Sequence, residues 1–221
     1  MATIEGSAFQ DFLQGTNAQD FIFGLGSSDV LLGNEGDDFL FGGQGGDLIV
    51  GGEGADKIFG QGGEDVILGG EGSDTIFGGA GSDYIEGGAG GDIIFGGEGT
   101  DIIDGGAGND LMFGGGDHDV FVFSGGGGND IVMDFQVGDL VQISSNINDT
   151  GVSSAADVAA RATQVGNNTV IDLGNGDTVT LNNVDTEDLQ DNPDGYIVVG
   201  EVHVIIRRRF YADGVGICVG Q

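Results

Sequence analysis

The residues best placed to do chemistry are aspartates in one register. Asp11, Asp20, Asp29, Asp38, Asp47, Asp56, Asp65, Asp74, Asp83, Asp92, Asp101, Asp110 and Asp119 recur every nine residues without a slip. Glycine-rich turns precede most of them, as in GGEGAD (51–56), GGEGSD (69–74), GGAGSD (78–83) and GGAGND (105–110). Glycine permits positive φ and leaves main-chain carbonyls uncovered. Carboxylate plus carbonyl oxygen is the donor set of a hard divalent cation. Calcium tolerates irregular cages of about six to eight oxygens, whereas magnesium tends to keep several of its waters. Zinc would ask for Cys or His, which these loops almost entirely lack. The pattern therefore points to calcium.

The elements that must position these groups follow from the same period. Two residues after each aspartate stands an apolar side chain: Leu13, Ile22, Leu31, Leu40, Ile49, Ile58, Ile67, Ile76, Ile85, Ile94, Ile103, Met112 and Phe121. The three residues after each Asp read as a short strand whose middle side chain points inward, followed by a six-residue turn. Nine residues are too few for a strand–helix repeat. Two units then make one 18-residue coil with two opposed sheets, an all-β, right-handed parallel β-roll. Coils stack about 4.8 Å apart, which sorts the aspartates into two columns. One holds Asp20, Asp38, Asp56, Asp74, Asp92 and Asp110; the other holds Asp11, Asp29, Asp47, Asp65, Asp83, Asp101 and Asp119. Like charges at that spacing repel unless something bridges them. The gaps between stacked loops set a ceiling of about eleven calcium ions, with fewer if the end turns are weak. The roll is expected to fold on binding the metal.

Composition narrows the function classes. Glycine supplies 49 of 221 residues and proline one, which excludes collagen and argues against a helical fold. Asp and Glu total 37 against five Lys and Arg, a net charge of -32. Nucleic acid and anionic membranes are poor partners for such a surface. Cys218 is the single cysteine, so no intramolecular disulfide is expected. Met1–Gln10 lacks the basic start and apolar core of a classical signal peptide. No stretch approaches the roughly 20 apolar residues of a membrane helix. HExxH, G-x-S-x-G and a Walker lysine are all missing, Lys57 being the sole lysine, so the chain reads as a non-enzyme. His118 reads as a loop-surface residue.

The units resemble the RTX (repeats-in-toxin) nonapeptides, pattern G-G-x-G-x-D-x-U-x with U a large apolar residue. The resemblance covers residues 6–122 and is most specific over 33–113. It implies that Asp29, Asp38, Asp47, Asp56, Asp65, Asp74, Asp83, Asp92, Asp101, Asp110 and Asp119 are calcium ligands, with carbonyls of the preceding turns completing each cage. It also implies a secreted, extracellular protein exported by a type I secretion apparatus. Several turns depart from the pattern: GSAFQD (6–11), GTNAQD (15–20), GLGSSD (24–29), GQGGED (60–65) and GGGDHD (114–119). The end turns are accordingly expected to act as caps.

The organisation expected is a roll over 1–123, a small mostly-β cap of secretion type over 124–199, and an unassigned tail over 200–221 carrying Arg207, Arg208 and Arg209. GGGGND (125–130) repeats the turn out of register, which suggests that the roll ends there. FQVGDLVQIS (135–144) reads as a strand, 154–166 as a short helix with Ser154 and Asp157 at its start, and 168–184 as a hairpin around Gly174–Asp177. GYIVV (195–199) fits the apolar run that closes related export signals. Phe23, Phe41, Phe59, Phe77, Phe95 and Phe113 recur every 18 residues and form one outward aromatic row. That row is either a stacking ladder or an adhesive patch for a glycan, cell surface or protein. Two functions follow: a calcium-driven folding and export module of an exported protein, or a self-standing extracellular adhesion or matrix-binding protein.

Overall fold

A computed structural model describes residues 1–200 and the backbone of an antiparallel strand pair, Phe210–Ala212 with Val215–Ile217. Arg207, Arg208, Arg209, His203 and Cys218 lie outside the described residues.

Successive strands alternate between two sheets, so that strands separated by one coil pair in parallel. The register is 18 residues throughout the roll: Ile58 faces Ile76, Ile76 faces Ile94, and Ile67 faces Ile85 in the opposite sheet. One apolar residue per strand points into the coil. The file from Ile22 through Leu40, Ile58, Ile76 and Ile94 to Met112 is wholly buried, and so is the opposing file from Leu31 through Ile49, Ile67, Ile85 and Ile103 to Phe121. This is the parallel β-roll that the nine-residue period implies.

The strands are longer than that period suggested. Those of the regular coils run six residues, as in Val66–Glu71 and Thr75–Ala80, so half of each supposed turn belongs to the ladder. Glycine makes this possible. Gly70 has φ +116°, and a Cβ there would run into the Gly52 carbonyl of the coil below. Without side chains the backbones approach closely enough to continue pairing through the glycine pair.

The sheets also continue past the break in register. Asn129–Val132 pairs in parallel with Leu111–Gly115, and Asp177–Leu181 pairs in parallel with Asn129–Val132. In the other sheet Leu140–Ile143 pairs with Val120–Phe123, and Ile197–Val199 pairs with Leu140–Ile143. The cap is thus an extension of both sheets. Its hairpin joins Asn168–Gly174 to Asp177–Leu181 antiparallel, with Ala162–Val165 as the edge strand. The helix is shorter than the sequence suggested, Ala155–Ala159, with the Ser154 hydroxyl accepting from Asp157 N–H. Pairing of Ala162–Val165 with the hairpin takes over the residues that would have extended it. Phe135 is not in a strand; its ring lies between those of Phe121 and Tyr196. A second helix, Thr186–Asp191, is capped by Asp185.

Candidate metal centre: the aspartate columns

The aspartates do not sit on an exposed edge. Every one from Asp20 to Asp119 is at most 3% exposed. The two oxygens of each carboxylate face different environments. Oδ1 accepts the main-chain N–H of the aspartate one coil earlier, at 2.7–3.0 Å, from Asp11 N–H on Asp29 through Asp101 N–H on Asp119. The carboxylates therefore run up each column as a ladder of charge-assisted hydrogen bonds.

Oδ2 is different. In Asp29, Asp38, Asp47, Asp56, Asp74, Asp83, Asp92, Asp101, Asp110 and Asp119 it is buried and has no hydrogen-bond partner. Asp65 occupies the same place in its column, its Oδ1 accepting from Asp47 N–H. The surroundings of Oδ2 are built from glycine. A Cβ on Gly69 would collide with both Asp74 Oδ2 and the Gly87 carbonyl of the next coil. The same holds for Gly78 with Asp83 and Gly96, and for Gly96 with Asp101 and Gly114. Anionic and carbonyl oxygens thus converge on a space that a glycine keeps open. A buried polar atom left unpaired costs about 1–3 kcal/mol, more when charged. Repeated along both columns, that cost calls for a cation. Among the described residues no three His, Cys, Asp or Glu side chains converge on one point. One carboxylate oxygen per turn must then be supplemented by carbonyls, a donor set suited to calcium.

Electrostatics agrees with the geometry. Burial pushes the carboxyls upward against the opposing backbone hydrogen bond: Asp47 and Asp101 to about 8, Asp56 and Asp92 to about 7, Asp29, Asp38, Asp83 and Asp119 to about 6. Asp74 and Asp110 move upward for the same reason. Repulsion along the column adds to burial, as from Asp65 and Asp29 on Asp47. Without a cation these groups resist ionising.

The divergent turns fall into two kinds. Leu25, Ser27, Gln61 and Asp117 occupy glycine positions yet adopt φ of +73° to +85°, so the turns before Asp29, Asp65 and Asp119 keep the repeat's conformation. The turns before Asp11 and Asp20 do not. The Ser7 amide and hydroxyl donate to Asp11 Oδ2 at 2.5 and 2.9 Å, and those of Thr16 donate to Asp20 Oδ2 at 2.6 and 2.7 Å. Burial raises the Asp20 carboxyl, but the hydrogen bonds from Thr16 and Ala2 and the N-terminal ammonium outweigh it and hold it below the usual range.

Two further members of the columns went unnoticed in the sequence. Asp130 Oδ1 accepts from Asp110 N–H, and Asp139 Oδ1 from Asp119 N–H, both at 3.0 Å. Their spacing is 20 residues instead of 18, which hides them from a strict period. The signal was an Asp followed two residues later by a buried valine, Val132 or Val141. His118 is exposed, as a loop-surface residue should be, and lies against Gly138.

The model of the RTX calcium-binding nonapeptide repeat (4 copies) matches residues 5–40, 41–76, 59–94, 68–103 and 86–121, together more than half of the chain. The chain belongs to the RTX calcium-binding repeat family. It is accordingly a calcium-binding β-roll of the secreted type, a repeat scaffold over residues 5–121 with several calcium sites along its aspartates. Among solved structures it is similar to the extracellular lipase LipA from Serratia marcescens, at 22% identity and a TM-score of 0.50. The match covers 86% of this chain and 40% of the lipase chain. At that identity the likeness concerns the fold alone. No curated protein is significantly similar in sequence. Among the described residues no helix is long and apolar enough to cross a membrane.

Proposed function

We propose that the chain is a folding and export module whose roll forms outside the cell when calcium fills the two aspartate columns. The observation that carries this is the row of buried Oδ2 atoms, each facing a glycine-lined gap and, from Asp29 to Asp101, a carbonyl of the next coil. Asp29, Asp38, Asp47, Asp56, Asp65, Asp74, Asp83, Asp92, Asp101, Asp110 and Asp119 are the ligands in this reading, with up to about eleven ions. Metal binding and folding are then one event, because the cages exist only when coils stack. The low calcium of a cell interior leaves the chain extended for a type I secretion apparatus, and extracellular calcium folds it. Residues 1–123 form the roll proper in this scheme and 124–199 the secretion-type cap.

Calcium titration followed by far-UV circular dichroism and calorimetry tests it. Chelator should give a coil-like spectrum, millimolar calcium a β spectrum, and magnesium a much weaker response. A full β spectrum in chelator, or only one or two bound ions, would refute the stacked columns.

The phenylalanine row supports a second reading less strongly. Phe23, Phe41, Phe59, Phe77, Phe95 and Phe113 stack with centroids 4.6–5.1 Å apart and planes within 12° of parallel. Each ring is half-buried by its neighbours, so stacking accounts for the row. Its outward edge still offers an apolar strip to a glycan, cell surface or protein partner. Retention on immobilised glycans or cells that is lost in Phe59→Ser would favour adhesion.

A further inference from the structure

The columns contain two kinds of turn, which differ in backbone four and two residues before the aspartate. Both places have positive φ before Asp29 to Asp119, neither does before Asp11 and Asp20, and the earlier place also carries the donors to Oδ2. Four residues before each of Asp29 to Asp119 the backbone has positive φ. At Gly52, Gly70, Gly79, Gly88, Gly97 and Gly106 this is natural. Leu25, Asn34 and Gln61 adopt it too, at φ 78–79°, although side chains other than asparagine and aspartate seldom enter that region. In the turns before Asp11 and Asp20 the same position holds Ser7 and Thr16, and neither has positive φ. There the main-chain N–H turns toward the carboxylate and the hydroxyl joins it, so that two donors sit on Oδ2. The carbonyl half of the cage is present nonetheless. A Cβ on Gly6 would lie 2.7 Å from the Gly24 carbonyl and 2.8 Å from Asp11 Oδ2. Gly15 has the corresponding place beside the Gly33 carbonyl and Asp20 Oδ2.

We infer that the residue four before each aspartate selects whether its turn takes calcium, and that Ser7 and Thr16 close the first two turns by donating to the oxygen a cation would otherwise hold. This rests on the ligand role proposed above for Oδ2. The chemistry is a competition at one atom. An anionic oxygen with two hydrogen-bond donors at 2.5–2.9 Å has its charge compensated, and both protons point where a cation would sit. A positive φ removes the amide donor, and the absence of a hydroxyl removes the other. The two closed turns adjoin Thr3–Glu5 and Phe12–Gln14, the terminal strands of the two sheets. The roll is therefore sealed at that end by hydrogen bonds and filled by metal from Asp29 onward. Retention of Leu25 at positive φ has the same logic: the strained turn is the first that stays open.

The test is calorimetric stoichiometry on the full chain with calcium as titrant. Thr16→Gly/Ala18→Gly restores glycine at both turn positions and should bind one ion more than the parent. Thr16→Ser should match the parent, because it keeps both donors. Asp20→Asn should leave the parent's stoichiometry unchanged but abolish the extra ion in the Thr16→Gly/Ala18→Gly background. Circular dichroism at saturating calcium confirms that each variant is folded, which substitution in this terminal coil should allow. An unchanged ion count in the opened variant, or loss of an ion in Asp20→Asn alone, overturns the selector. A parent that binds no calcium overturns the underlying ligand assignment instead.

Discussion

Asp74 lets the two oxygens of a column aspartate be separated experimentally. Its Oδ1 accepts the Asp56 N–H at 2.8 Å, and its Oδ2 is buried without a partner. Asp74→Ala removes both. The Asp56 amide is then left buried and unpaired, a cost of about 1–3 kcal/mol with or without metal. An ion held at a free concentration a hundredfold above its Kd contributes about 2.7 kcal/mol. At saturating calcium the loss should therefore be roughly 4–6 kcal/mol, and in chelator only the first part. Asp74→Asn keeps an oxygen for the Asp56 N–H and places an amide nitrogen where Oδ2 was. It should lose about 2.7 kcal/mol in calcium. In chelator it should lose nothing or gain slightly, because burial already resists ionisation of this carboxyl. Melting in calcium at neutral pH and in chelator at about pH 5, where the metal-free roll should gain structure, together with calorimetric ion counts, supplies the readout. A loss in calcium without a loss in chelator for Asp74→Asn is the diagnostic. Equal losses for Asn and Ala in chelator would show that the ladder hydrogen bond is not what Oδ1 provides. A full ion count in Asp74→Asn would show that Oδ2 is not a ligand.

The calcium-free chain should respond to acid in an unusual direction. Burial pushes Asp47 and Asp101 up to about 8, and Asp56 and Asp92 to about 7, well above the ordinary carboxylate range. Their folded pKa values exceed the unfolded ones, so the stabilisation from protonation is complete below about pH 4 and is lost as pH rises through about 7–8. Far-UV dichroism in chelator should therefore gain β character on acidification from pH 8.5 to 5, and no gain would refute the burial argument. Calcium affinity should fall over the same window as protons compete for the carboxylates, which titrations at pH 6 and 8 would reveal. Phe59→Ala breaks stacks of 4.9 and 5.1 Å with Phe41 and Phe77 and should cost about 1–3 kcal/mol of melting stability without changing the ion count. Asp177→Ala removes an acceptor for Gly126 N–H and Asn148 Nδ2, at 3.0 and 2.9 Å. It should loosen the cap by about 1–3 kcal/mol, seen as earlier melting or hydrogen exchange there, again with the full number of ions.

The nine-residue spacing was sufficient to derive the coil, both apolar files and both columns, because a strict period leaves a chain few ways to bury one side chain per unit. Ile58, Ile76 and Ile94 could be stacked on paper, and the structure stacks them. The same strictness concealed Asp130 and Asp139. Two inserted residues change the spacing to 20, and only strand pairing shows that the columns continue. The helix at Ser154 was legible through its cap, but its length was decided by a competing strand partner. Asp177, read from sequence as a hairpin residue, ties that hairpin to the end of the roll.

The columns show the division most clearly. Sequence alone determined which aspartates align, because alignment depends only on counting residues along a repeating coil. It did not determine which carboxylate oxygens stay open. That depends on the turn's backbone, and Leu25 and Gln61 take the glycine conformation while Ser7 and Thr16 do not. The hydroxyls that Ser7 and Thr16 bring to Oδ2 have no counterpart at Leu25 and Gln61, but their reach to that oxygen exists only once the turn is folded. Only the stacked coils therefore show whether an oxygen meets a donor or is left for a cation.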